Sequence, residues 1–403
     1  MSSVGTVTAV LQSLSPQSWY SSRQAGHALA ADNDMLKLEV NKPEEKTLGE
    51  RLRPLITSFV EKDLKYEPRP ARDNTALWKA ADEYAAQTGV VREPGSRSAK
   101  IFQTGVMYAA CCVPRHPVDV QVYVAMYSWL GLLLDDSAAE HEDEFARFGA
   151  RFACGERHPL PLLQAWADLL RLTYKHWDAT PANFIVTASL NFLNSNLLQT
   201  GAAFRGIAAA AAANGSNGNS NNSGRSWARY VREKDGGGDA VAYFTFPKSM
   251  YPNQEEYLEC IPNLARYINL ANDVLSFYKE EKAGEDDNFI SQMAMYENKD
   301  KIAIVEDLIA DVAQAVERIR ATIQGKEPYA SAVEDHILGY VAFHKLSPRY
   351  RLSEVGLGEE TFQVAAPDQP RRGNVDVSFF VSFWRWVLEF SKTKTGLPQG
   401  TDS

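Results

Sequence analysis

The chain has 403 residues, 45% of them hydrophobic, enough to bury a large core in one big domain or two smaller ones. A formal charge of −9 argues against a nucleic-acid binder that neutralises phosphates along a backbone, yet leaves room for a phosphate-bearing small molecule served by metal and local Arg or Lys. The four cysteines (Cys111, Cys112, Cys154, Cys260) show no CxxC or metal-ligand spacing, no basic-then-apolar leader is present, and no apolar run approaches the roughly 18 residues of a membrane span, so a cytoplasmic protein with reduced thiols is expected.

Residues 1–48 are rich in Ser, Gly and small polar side chains and are expected to form a partly disordered extension. Helical periodicity then runs through Leu48–Lys65, Ala76–Gln87, Ser98–Ala110 and the strongly apolar Val118–Asp135. Glu140–Glu144 reads as a solvated acidic loop. Leu160–His176, Ala182–Gln199, Trp227–Asp235, Gln254–Lys282, Lys301–Gln324, Ala330–Ser347 and Phe379–Phe390 complete the helices. A flexible Asn/Ser/Gly insert at about 208–226 interrupts them, and 396–403 forms a tail. Strand patterns are scarce. The expectation is an all-α domain over residues 49–395.

Four segments carry chemistry. Asp135 and Asp136 end the apolar helix that starts at Val118, and Asp135 shares a face with Leu132, Gly131, Ser128 and Tyr127. Paired carboxylates there can bind a divalent cation, act as an acid/base pair, or mark where a buried helix reaches water. Arg232, Asp235 and Gly236 stand at another helix end, as a cation, a carboxylate to orient it, and a glycine that is a C-cap or a place for the backbone to bend. Asn272, Ser276 and Glu280, in NDVLSFYKE, are spaced i, i+4, i+8 and so stack on one helix face. All three offer oxygen, the donor preferred by a hard cation such as magnesium. Taken alone this stripe also fits the solvated face of an amphipathic helix, though Val274, Leu275, Phe277 and Tyr278 between them read as packing residues. Finally, Arg349 can grip phosphate oxygens bidentately and the Tyr350 hydroxyl can donate one more bond.

Together these segments describe a diphosphate site with metal. The chain resembles class I terpene cyclases, specifically the fungal trichodiene synthase family. Asp135-Asp136-Ser137 resembles the start of that family's aspartate-rich motif, and NDVLSFYKE at 272–280 its Asn/Ser/Glu metal motif. Gly339-Tyr340-Val and Arg349-Tyr350-Arg-Leu-Ser-Glu354 resemble its C-terminal arginine-tyrosine segment, and Arg232, Asp235 and Gly236 its diphosphate sensor, linker and effector. The likeness spans roughly residues 60–390. One departure is Ala139, where the family usually carries another acidic residue; Glu140 lies one position further on.

The resemblance implies an α-helical bundle around a central apolar cavity. It implies three Mg²⁺ ions, two held by Asp135 and one by Asn272, Ser276 and Glu280. Arg232, Lys279, Arg349 and Tyr350 would grip the diphosphate, with Asp136 pairing with Arg349 on closure. The expected substrate is a prenyl diphosphate, most naturally farnesyl diphosphate, and the product a cyclic sesquiterpene or an alcohol such as longiborneol; a homodimer is left open. Tyr127, Phe102, Phe244 and Phe277 are candidates to stabilise a carbocation, or plain core. The competing readings are a prenyl-chain-elongating synthase, which would need a second aspartate-rich motif in place of NDVLSFYKE, and a non-catalytic helical scaffold.

Overall fold

Thr47 opens the first helix with a capping box. Its Oγ1 accepts from Glu50 N at 3.3 Å and Glu50 Oε2 accepts from Thr47 N at 2.8 Å, so two otherwise orphaned amides are satisfied. The structure is a computed structural model and describes residues 46–70, 72–201, 206–207 and 223–358. The expected N-terminal extension, most of the Asn/Ser/Gly insert, the helix at Phe379–Phe390 and the tail lie outside the described residues.

Helices succeed one another in the order α1 (Leu48–Ser58), α2 (Thr75–Gln87), α3 (Arg97–Cys112), α4 (Val118–Ser137), α5 (Glu142–Cys154), α6 (Pro161–His176) and α7 (Ala179–Thr200). Then come α8 (Ser223–Asp235), α9 (Gly238–Phe244), α10 (Ile261–Ala283), α11 (Phe289–Glu297), α12 (Lys301–Ile323) and α13 (Tyr329–Leu346). No strand occurs among the described residues. The fold is all-α, as the periodicity predicts.

Three local expectations change. The acidic stretch is not a loop: Ala138–Glu140 form a 3₁₀ turn, and Glu142, Asp143 and Glu144 make the first turn of α5. Negative charge there favours the helix N-terminus, and Phe145 and Phe148 bury the apolar face. The segment from Gln254 is not one helix. Two 3₁₀ turns precede α10, which begins at Ile261 because Pro262 is compatible only with the first turn. Helix α5 as a whole and the short helices α9 and α11 were not expected; α11 is started by the Asn288 side chain, which accepts from Ser291 N at 2.9 Å.

Packing arranges the long helices as a ring. α4 packs on α3, α3 on α13, α13 on α10, α10 on α9, α9 on α7, and α7 on α4. α3 and α4 approach closely because Gly105 lacks a side chain: a Cβ there would stand 2.6 Å from Ala125 O. α4 and α10 lie on opposite arcs of the ring. Every residue from Val120 to Tyr127 on α4 is buried, as is every residue from Asp273 to Tyr278 on α10. No described helix is long and apolar enough to cross a membrane.

Candidate active site

The burial of α10 removes the solvated-face reading of the Asn/Ser/Glu stripe. Ser276 is 2% exposed, and Asn272 and Glu280 are partly buried. Val274, Leu275, Phe277 and Tyr278 around them are core. A buried polar group left without a partner costs about 1–3 kcal/mol, and each of these has one. Ser276 Oγ donates to Glu280 Oε1 at 2.6 Å. Asn272 Nδ2 donates to His344 Nε2 at 3.2 Å, and Asn272 Oδ1 accepts from Arg232 Nη2 at 3.4 Å.

Arg232 crosses from α8 to this stripe. Its Nε lies 2.9 Å from Asp273 Oδ1, its Nη1 3.1 Å from Asp235 Oδ1, and its Nη2 donates to the Asn269 carbonyl at 2.9 Å. Burial alone would lower the Arg232 pKa, but the carboxylates of Asp273 and Asp235 outweigh it, so the guanidinium stays charged. One cation does not neutralise two buried carboxylates. Burial therefore pushes Asp273 up to about 7 and raises Asp235 as well, against the pull of Arg232. Gln199 Nε2 donates to the other Asp235 oxygen at 2.8 Å.

Gly236 stands at the C-terminal end of α8, its N donating to the Arg232 carbonyl at 3.1 Å, and a steric reason also calls for glycine there. Its φ is ordinary, but a Cβ would meet Asn269 Oδ1 at 2.2 Å. That oxygen accepts from Gly238 N at 3.1 Å, which draws the start of α9 against α10. Only a glycine allows the approach.

On the opposite arc, α4 ends in the paired carboxylates. Asp135 remains open to water although protein surrounds it on most sides, the situation of a group lining a concavity. Burial, with the charges of Asp136 and Asp235, pushes its pKa up to about 6 despite Arg349 and Lys279. Asp135, Asp235, Lys279 and Arg349, drawn from four separate elements, thus share one electrostatic neighbourhood. Asp136 pairs with Arg97 at 2.6 Å, a partner not anticipated, rather than with Arg349, and its Oδ2 is buried without a hydrogen-bond partner. Lys279 Nζ stands 3.7 Å from Glu280 Oε1 and 3.8 Å from Glu285 Oε2.

Pro348 stops α13 and starts the 3₁₀ turn Pro348–Tyr350 that holds Arg349 and Tyr350. Tyr350 is buried against Phe343 and His344, with ring centroids 5.4 and 4.1 Å away, and burial pushes its hydroxyl up to about 12. Arg351 grips Glu354 at 2.6 and 3.0 Å, and Tyr278 Oη donates to the same carboxylate at 3.2 Å, which ties this turn to α10.

Among the aromatic candidates, Phe102 already carries the Arg92 guanidinium 4.1 Å over its ring, so that face serves the protein's own cation. Tyr127 and Phe244 meet edge-to-face at 4.7 Å, and the Tyr127 hydroxyl lies 2.9 Å from Ser189 Oγ. Phe277 is fully buried.

The donor chemistry fits a hard cation. Asn272, Ser276 and Glu280 offer oxygen on one face, and Asp136 Oδ2, at the end of α4, is a buried acceptor without a hydrogen-bond partner. Among the described residues no three His, Cys, Asp or Glu come together to hold an ion alone. An ion here would draw remaining ligands from substrate and water, as magnesium commonly does.

Sequence reasoning missed Asp273, Asn269, His344, Gln199 and Arg97. Asp273 had a signal, a lone carboxylate amid apolar residues; the others are brought in by tertiary packing.

A trichodiene synthase (TRI5) family profile matches residues 73–364. The chain is 38% identical to longiborneol synthase CLM1 of Gibberella zeae over 317 residues, covering 78% of this chain and 91% of the relative. It is 34% identical to terpene synthase BipA of Cochliobolus sativus, covering 72% of this chain and 86% of that one. In fold it is similar to the linalool/nerolidol synthase of Streptomyces clavuligerus, with a TM-score of 0.53 at 12% identity over 69% of this chain and 98% of that one. The chain belongs to the trichodiene synthase family and is a terpene cyclase acting on a prenyl diphosphate.

Proposed function

We propose that the chain is a magnesium-dependent sesquiterpene synthase that ionises farnesyl diphosphate and releases diphosphate and a cyclic sesquiterpene or sesquiterpene alcohol. The observation that carries this reading is that Asp135, at the end of α4, shares an electrostatic neighbourhood with Arg349 and with Lys279, which stands beside Glu280 in the Asn272/Ser276/Glu280 stripe. The relative named longiborneol synthase favours an alcohol product.

In this reading Asp135 would hold two of three Mg²⁺ ions, and Asn272, Ser276 and Glu280 would hold the third. When bound, the ions neutralise charge building on the leaving diphosphate. Arg232, Lys279 and Arg349 add cationic contacts to the same oxygens, and Tyr350 donates one hydrogen bond. No side-chain nucleophile is required for C–O cleavage.

To receive the diphosphate, Arg232 gives up part of its contact with Asp235 and Asn272. Asp273 holds Nε from behind, so the guanidinium turns without leaving the site. Asp136 exchanges Arg97 for Arg349 as the mouth closes, which keeps water from the carbocation. Buried aromatic faces such as Tyr127 and Phe244 stabilise positive charge by about 0.5–2 kcal/mol each.

The test is incubation of purified protein with Mg²⁺ and farnesyl diphosphate, followed by gas chromatography–mass spectrometry of the extract. A sesquiterpene formed only with metal supports the reading. Turnover of geranyl or geranylgeranyl diphosphate alone replaces the substrate. A longer prenyl diphosphate formed only with isopentenyl diphosphate points to an elongase, and no turnover of any of these overturns the reading.

A further inference from the structure

His344 sits on α13, fully buried, and its two ring nitrogens have different neighbours. Nδ1 lies 2.8 Å from the Tyr340 carbonyl oxygen. A carbonyl only accepts, so Nδ1 carries the proton and Nε2 presents a lone pair. Asn272 Nδ2, 3.2 Å from Nε2, must then be the donor. This orients the Asn272 carboxamide. Its nitrogen faces His344, and its oxygen faces Arg232 Nη2 at 3.4 Å.

The orientation matters because the two ends of an amide have nearly the same shape and opposite chemistry. Only the oxygen can ligate a hard cation; the NH₂ end would repel it. The ring contacts of His344, 4.5 Å to Tyr340 and 4.1 Å to Tyr350 between centroids, require only an aromatic ring. The acceptor at Nε2 is what a phenylalanine there would lack.

We propose that His344 is a positioning residue that fixes Asn272 with its oxygen toward the metal, an inference that rests on reading Asn272 as a metal ligand. It lies outside every sequence motif of the site and acts from α13, the helix that leads into the Arg349–Tyr350 turn. The Asn272 side chain also hydrogen-bonds Tyr350 directly, so His344 and Tyr350 hold the same amide from α13 and the turn that follows it.

The experiment measures Mn²⁺ binding in the presence of inorganic diphosphate, from the electron paramagnetic resonance signal of free Mn²⁺. His344→Phe keeps the ring and removes the acceptor, and is expected to weaken binding about tenfold or more. His344→Gln, whose Oε1 can accept the same bond, is expected to stay within about threefold of the native protein. In an Asn272→Ala background His344→Phe is expected to cause no further loss, because the group it orients is gone. If far-UV circular dichroism shows that His344→Phe does not fold, His344→Asn is used instead. Its shorter amide keeps the bond to Tyr340 and withdraws the acceptor from Asn272. Native affinity in the acceptor-less variant, equal weakness in His344→Gln, or a loss additive with Asn272→Ala overturns the proposal. Native affinity in Asn272→Ala alone overturns instead the metal reading on which it rests.

Discussion

Arg232 on α8 is held by Asp273 on α10, Nε to Oδ1 at 2.9 Å, in a contact that joins the end of α8 to the middle of the Asn272/Ser276/Glu280 stripe. The pair is nearly buried, at 15% and 9% side-chain exposure, so its two members differ in what their loss should do.

Removing the cation leaves two carboxylates buried without a counter-charge, a defect of about 3–5 kcal/mol. Asp273→Asn removes a charge that burial already pushes up to about 7, and leaves an acceptor for Nε. We expect Arg232→Met to lose about 3–5 kcal/mol of stability and Asp273→Asn about 1 kcal/mol or less. Urea unfolding of the two variants decides it. Equal losses would mean that Asp273 is the charge the fold depends on.

Asn272→Ala and Glu280→Ala should each lower kcat by about 100-fold or more, the scale of losing a group that stabilises the departing charge. Their far-UV circular dichroism should match the native spectrum, because both side chains are only partly buried on an otherwise apolar helix. Near-normal turnover in either variant removes that residue from the metal site.

Gly236→Ala should be costly although it adds one methyl group. Its Cβ would lie 2.2 Å from Asn269 Oδ1 and 2.7 Å from Arg232 Nη1, so both must shift. We expect a stability loss of about 1–3 kcal/mol and a fall in kcat/KM of about tenfold or more, from the displaced guanidinium. The same change at Gly149, inside α5, where a Cβ meets nothing within 4 Å, serves as the control: kcat/KM should stay close to native and stability should rise by up to about 1 kcal/mol rather than fall.

Acid should destabilise the protein partly through His336. The ring is fully buried, with Nδ1 2.8 Å from Thr245 Oγ1 and Nε2 3.3 Å from Tyr108 Oη, and burial pushes its pKa down to about 3. The unfolded chain protonates this histidine near pH 6.5, whereas the folded protein stays neutral until about pH 3. The unfolded state therefore binds more protons across that window. The contribution of His336 is fully present above pH 6.5 and declines as pH falls from there toward 3, by about 1.4 kcal/mol per pH unit. His336→Gln should flatten the stability-against-pH curve by that slope between pH 6 and 4, as read by denaturant midpoints. An unchanged slope would show that the ring protonates in the folded state.

Helix type, the approximate bounds of the long helices and the i, i+4, i+8 stripe of Asn272, Ser276 and Glu280 were legible in the sequence, because helical periodicity and side-chain spacing are local. So were Asp135, Arg232, Asp235, Arg349 and Tyr350 as chemically apt residues, whereas Lys279 entered only through the family resemblance. The start of α5 was misread because a charged turn looks alike whether it caps a helix or fills a loop. The close approach that also calls for glycine at 236 was not legible, because it depends on a partner, Asn269, on another helix.

What the sequence determined by itself is therefore the chemistry available: oxygen donors on α10, carboxylates at the end of α4, and cations at helix ends. The tertiary structure alone decided how those groups are held. It set Arg232 between Asp235 and Asp273, gave Asp136 to Arg97, and turned the Asn272 amide by means of His344. The Arg232–Asp273 contact spans 41 residues and the Asn272–His344 contact 72. Local spacing carries no information over such distances, because the partner is chosen by how helices pack around the ring and by the cost of leaving a buried polar group unpaired.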